Sequence, residues 1–134
     1  KPTIGLVKYL IEGFYNEVTN SKIYDGFKFN GRTVYLTNEN QANYTSAYMI
    51  AVQTGGVNLP YTIKAGSDEE GSVYISFSSV AEFSAFYVAM NAYINKCIKE
   101  GWDAKDSVDY TVFDEALKDL PELPEDMDIL TNTL

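Results

Sequence analysis

Histidine does not occur in this sequence, and cysteine occurs once, at Cys97. The first absence removes the commonest general base and the commonest metal ligand together. No Ser/His/Asp or Cys/His nucleophile system can be assembled, and structural zinc would need thiolates that the chain lacks. A lone cysteine forms no internal disulfide and gives no sign of an oxidising compartment. There is no glycine-rich phosphate loop either, so no cofactor and no metal are expected, and the chain reads as non-enzymatic.

Positive charge is scarce, and its distribution is uneven. Residues 1–102 carry eight basic and nine acidic side chains, a balance of −1, whereas residues 103–134 carry Lys105 and Lys118 against ten acidic side chains, a balance of −8. A chain without a basic patch lacks what phosphate contacts require, so direct nucleic-acid binding is not expected. The same sign argues against an anionic membrane surface. Nor is there a membrane-spanning run: the longest charge-free stretch, Asn40 to Ile63, is broken by Asn, Gln, Thr, Gly and Pro, which would strand polar groups in lipid. The expected setting is cytoplasmic or virion-associated. The chain begins at Lys1 rather than Met, which leaves a longer precursor, a removed signal or an artificial start open.

What is present is a chain that should fold. In 134 residues, 46 % are apolar and 22 % charged, a balance that buries enough surface to offset the entropy of ordering. That length suits one domain, expected over 1–120, with 121–134 as an acidic extended or disordered tail. Aromatic residues make up 14 %, with eleven tyrosines, and tyrosine suits boundaries where a ring is buried and its hydroxyl stays wet.

Periodicity and punctuation predict an α+β fold: two β-hairpins, each followed by a helix, between an N-terminal amphipathic helix and a short C-terminal one. Val7, Leu10, Ile11, Phe14 and Val18 recur at helical spacing and predict a helix over 3–18, although Gly5 and Gly13 each cost it about 1 kcal/mol. Its stability should come from docking that stripe. Asn30-Gly31 between Phe27, Phe29, Val34 and Tyr35 is the pair best able to take the positive φ angles of a tight hairpin turn. Thr37 or Asn38 can cap a helix that runs through Gln53 and stops at Gly55-Gly56. A second hairpin, "LPYTIKAG" and "GSVYISFS", turns at "SDEE" with Val73, Ile75 and Phe77 facing one way. Ser79 and Glu82 form a capping box for a helix from Val80 to about Glu100, with Phe83, Phe86, Tyr87, Met90, Ile94, Cys97 and Ile98 along its apolar stripe. Gly101 fits the left-handed position after that helix, where Trp102 would fold back onto Cys97 or Ile98. A last short helix follows through Phe113, Leu117 and Leu120. Hairpin plus helix thus occurs twice, over 22–54 and 59–100, as a duplication or as the usual economy of short connections.

Few residues offer chemistry. Cys97 lies on an apolar stripe, where cysteine behaves as a small hydrophobe. Glu69 and Glu70 in a turn, or Asp103 and Asp106 at a helix end, are the available carboxylate pairs for glycoside-type hydrolysis, but solvated charge is the ordinary state at such places. Asp126 and Asp128 lack the glycine and distal glutamate of a calcium loop. Asn43-Tyr44-Thr45 matches a glycosylation sequon inside a predicted helix. The aromatic residues are better candidates, because a subset can form a contact surface for a protein partner or for self-association. Tyr44 and Tyr48, one helical turn apart, with Tyr9 and Trp102, are the positions expected to carry it.

The run "GFKFNGRTVYLTNENQANYTSAYMIAVQTG" through "LPYTIKAGSDEEGSVYISFSSVAEFSAFYVAMNAYINKCIKEGWDAKDSV", about residues 25–108, resembles a domain of unknown function found in phage and prophage tail-region proteins. The likeness rests on strands around an Asn-Gly turn, a helix rich in Gln, Ala and Tyr, the short "PYTIKA" strand and a long helix closing with alternating charges. It implies a structural or assembly part of a virion tail, with no active site to transfer. Two other readings stay open: an acidic inhibitor whose C-terminal quarter occupies a basic groove on a nucleic-acid-binding protein, and a small carboxylate-dependent hydrolase.

Overall fold

The structure, a computed structural model, describes residues 3–118. Its elements run in the order α1 (Ile4–Asp25), β1 (Phe27–Phe29), β2 (Arg32–Val34), α2 (Asn38–Thr54), β3 (Tyr61–Ala65), β4 (Val73–Phe77), α3 (Val80–Asp106) and α4 (Val112–Lys118). The fold is the expected α+β arrangement, with two antiparallel hairpins and a helix after each. The segment expected at 121–134, with Asp126 and Asp128, lies outside the described residues. The chain divides into two compact units, one from Thr19 to Lys99, the other formed by residues up to Val18 with those from Glu100 onward.

Within the 19–99 unit, local chemistry sets each element. Asn30 (φ 51°) and Gly31 (φ 78°) make the two-residue turn of the first hairpin, with Phe29 opposite Arg32 and Phe27 opposite Val34. Positive φ at both central positions gives the turn the twist of the strands it joins. The Thr37 hydroxyl accepts the Asn40 amide at 3.1 Å to start α2, and Gly55, left-handed at φ 69°, ends it. In the second hairpin Tyr61 faces Phe77 and Ala65 faces Val73. Ser79 accepts the Glu82 amide, and the Glu82 carboxylate reaches back to the amide of Ser78, one residue earlier than in the usual reciprocal cap.

The core of this unit is aromatic and centres on α3. Phe83 and Phe86 are fully buried. The Phe86 ring lies 4.9 Å from that of Phe77, 5.2 Å from Phe29 and 5.5 Å from Tyr44, so both hairpins and α2 converge on it. Phe83 stacks on Phe77 at 4.9 Å and on Tyr61 at 5.3 Å. Val34, Leu36, Ile63, Met90 and Cys97 are buried with them, as are Ile23, Ala47, Ala51 and Ala65. Cys97 is a free, buried thiol on the apolar stripe.

Two helices are longer than their sequence patterns predict. Helix α1 continues from residue 18 to Asp25 because its last turn is anchored: Ile23 is buried, the Tyr93 hydroxyl donates to the Lys22 carbonyl at 2.7 Å, and the Tyr24 carbonyl accepts the Leu36 amide. The turn that ends it is Gly26, at φ 84°, where an added Cβ would run into the Val34 carbonyl. Helix α3 does not stop at Glu100. Gly101 is buried inside it rather than left-handed beyond it, Ala104 and Lys105 carry the helix to Asp106, and Trp102 stays 56 % exposed instead of folding back.

In the other unit, Thr3 caps α1 by accepting the Leu6 amide. Lys105 donates to the Asn16 side-chain oxygen at 2.8 Å, and the Lys8 ammonium sits 5.3 Å from the centre of the Tyr110 ring. The Tyr110 hydroxyl is buried without a hydrogen-bond partner among the described residues; that burial, then the nearby Glu12 and Tyr15, raises its pKa. The docking expected of the α1 stripe is incomplete. Val7, Ile11 and Val18 are half-buried, but Leu10 and Phe14 are each 60 % exposed.

Candidate functional site

The two hairpins meet at Thr33 and Glu70. Thr33 lies opposite Lys28 in β2, and its backbone groups point away from β1. Its carbonyl accepts the Gly66 amide at 2.7 Å, and its amide donates to one Glu70 carboxylate oxygen at 3.2 Å. The other Glu70 oxygen accepts the Thr33 hydroxyl at 3.2 Å and pairs with the Lys28 ammonium at 2.6 Å. The Lys28 hydrogen bond, helped by those from Thr33, holds the Glu70 carboxyl below the usual carboxylate range although partial desolvation opposes it. Glu70 is therefore no solvated turn residue: its side chain is 17 % exposed and fastens one hairpin to the other.

Next to this fastening a cleft of about 620 Å³ opens beside β3. Every residue from Tyr61 to Gly66 lines it in succession, and Tyr35 with Asn40, Asn43 and Tyr44 of α2 forms the rest of its wall. A strand that turned one face to the cleft would contribute alternate residues; contributing all of them means that β3 presents its edge. The Asn40 side chain is held against the wall by donating from Nδ2 to the Tyr35 carbonyl at 3.1 Å. Burial, then the neighbouring Tyr61, raises the Tyr44 pKa, so its hydroxyl stays neutral. The lining otherwise combines hydroxyls and amides with the aliphatic Ile63 and Ala65, and Lys64 and Asp68 add one charge of each sign. Such a surface is equipped to hydrogen-bond an uncharged polar ligand.

The four aromatic positions expected to make contacts have different surroundings. Tyr44 is only 6 % exposed, its ring packed edge-on to Phe86, and lines the cleft. Tyr48 is half-buried, 4.4 Å from Tyr87 and 5.4 Å from Phe83. Tyr9 and Trp102, in the other unit, are 42 % and 56 % exposed. Of the candidate carboxylates, Glu69 is exposed in its turn and Asp103 and Asp106 are exposed on the last turns of α3. Among the described residues, no cluster of three acidic or cysteine side chains is placed to hold a metal ion. Asn43 of the sequon is exposed at the cleft wall. Sequence reasoning missed Thr33 and the β3 edge and took Glu70 for a solvated turn carboxylate, since the junction has no local signal: Thr33 and Glu70 are 37 residues apart.

The profile of a protein family described as a domain of unknown function, DUF4376, matches residues 14–129. The chain belongs to the DUF4376 family. The match spans both hairpins, α2 and α3, so the hairpin junction and the cleft lie within the DUF4376 region. No curated protein matches the DUF4376 chain, and no solved structure does. Among its described residues, no helix is long and apolar enough to cross a membrane.

Proposed function

We propose that this protein is a non-enzymatic interaction module that acts as a structural or assembly part of a phage or prophage tail, and that the outer face of α1 is its principal contact surface. The observation that carries this reading is the surroundings of Gly13. A helix-interior glycine costs about 1 kcal/mol relative to alanine, yet a Cβ added at Gly13 would meet nothing within 4 Å. Nothing within the described residues uses the notch. Leu10 and Phe14, each 60 % exposed, and Tyr9, 42 % exposed, flank it. An apolar ridge around a glycine notch is the shape that lets another helix approach closely, and aromatic side chains anchor such contacts. The likeness of residues 25–108 to tail-region proteins supports the viral setting.

The test is Leu10→Glu/Phe14→Glu, with light scattering and pull-down against virion and host proteins. The parent chain should form a defined oligomer or retain a specific partner, and the double variant should lose it with an unchanged circular dichroism spectrum. A strict monomer that retains neither would overturn the reading. Tail genes on either side of this one would support the viral setting, and their absence would count against it.

A further inference from the structure

We infer that the cleft beside β3 is a strand-addition site, which takes an extended, uncharged segment of a protein partner as a further strand against the open edge of β3. This goes beyond the α1 surface and does not depend on it.

The first support is the hydrogen-bond pattern of β3. Ala65 pairs with Val73, Ile63 with Ile75 and Tyr61 with Phe77. The Gly66 amide points away from β4, to Thr33, and in an antiparallel ladder the outward direction recurs every second residue. The backbone groups of Lys64 and Thr62 therefore point outward as well, into the cleft. Apart from the Gly66–Thr33 bond, no backbone group of the described residues bonds this side of β3. Two amides and two carbonyls are left without backbone partners, and a neighbouring strand is the arrangement that satisfies all four at once.

The second support is the shape and chemistry of the site. The Glu70 fastening holds β2 against β3 at Gly66 and closes that end, while Tyr35 and the first turns of α2 form the opposite wall. Five residues of β3 span about 17 Å, room for roughly five residues of ligand. Lys64 and Asp68 cancel in charge, so a segment without net charge fits best. Its alternate side chains would face the tyrosine wall and the solvent, which selects an apolar–hydroxyl alternation. Main-chain bonds would give affinity and the tyrosines selectivity, as in other edge-strand recognition.

Hydrogen exchange followed by NMR tests the open edge directly. In the free protein the Ile63 and Ala65 amides should exchange about a hundredfold more slowly than those of Thr62 and Lys64. Equal protection at all four would overturn the proposal, because the edge would already be paired. A capped Thr-Val-Thr-Val-Thr peptide should then give saturable shifts and slowed exchange at Thr62 and Lys64. Lys64→Pro should abolish this, since it removes the outward amide and leaves the ladder to β4 intact. Shifts produced only by neutral oligosaccharides would make this a glycan site, and no response to millimolar peptide would also overturn the inference. The Leu10→Glu/Phe14→Glu variant should bind the peptide as the parent does, which separates this outcome from that of the α1 surface.

Discussion

Replacing Phe86 with alanine tests whether one ring on α3 holds the larger unit together. The ring is fully buried and within 6.0 Å of the rings of Phe27, Phe29, Tyr44 and Phe77, which come from both hairpins and α2. Truncation loses about 2 kcal/mol of transfer free energy. It also leaves a void of about 100 Å³, worth roughly 2 kcal/mol at the cavity cost seen in packed cores. The expected loss is about 4 kcal/mol, large against the total of about 5–15 kcal/mol typical of such chains. Urea denaturation followed by far-ultraviolet circular dichroism measures it. Phe86→Leu, which refills part of the void, should cost about 1.5 kcal/mol and remain measurable if the alanine variant does not fold. Val88→Ala, on the same helix but 66 % exposed, should stay within about 0.5 kcal/mol of the parent. If Phe86→Ala costs under about 1 kcal/mol, or no more than Val88→Ala, the hairpins do not depend on this ring and the described core is wrong.

Further outcomes follow from the same geometry. Because the Glu70 carboxyl is held below its ordinary value of 4.5, the stability it gives is present above that pH and lost as pH falls through the lower folded value; Glu70→Gln should flatten this acid limb of a thermal-melt series, while Glu69→Gln leaves it unchanged. Gly66→Ala should destabilise by at least about 2 kcal/mol, since Gly66 has φ 119° and an added Cβ would run into the Gly71 carbonyl. Gly13→Ala should instead raise stability by up to about 1 kcal/mol, and urea melts of both would read the contrast. The Cys97 thiol, 3 % exposed, should react with a thiol-specific disulfide reagent only in denaturant; prompt labelling of the native chain would contradict its burial.

The elements fixed by neighbours in sequence were legible before the structure. Asn30-Gly31, the Thr37 and Gly55 ends of α2, and the Ser79–Glu82 box each act over three or four residues, and all are found where their chemistry puts them. Features that depend on distant partners were not. Glycine at 101 has the composition of a stop signal, but a buried glycine within a helix has the same letter. Helical periodicity gave α1 an apolar face, yet periodicity cannot tell a stripe covered by the same chain from one left to a partner; Ile11 and Phe14 read alike and differ in exposure. A turn glutamate looks solvated until the fold brings it to a threonine 37 residues away. The cleft was invisible for the same reason, since its two walls come from separate parts of the sequence.

Thr33 gives its amide, carbonyl and hydroxyl to the second hairpin. Each hairpin closes over a few residues, so both can form early and separately, whereas this junction requires the intervening loop and helix to be in place. The junction is thus a latch that closes after the ribbons it joins, and it adds a polar tie at one end to the aromatic contacts of Phe29, Phe77 and Phe86 that hold the same two ribbons together.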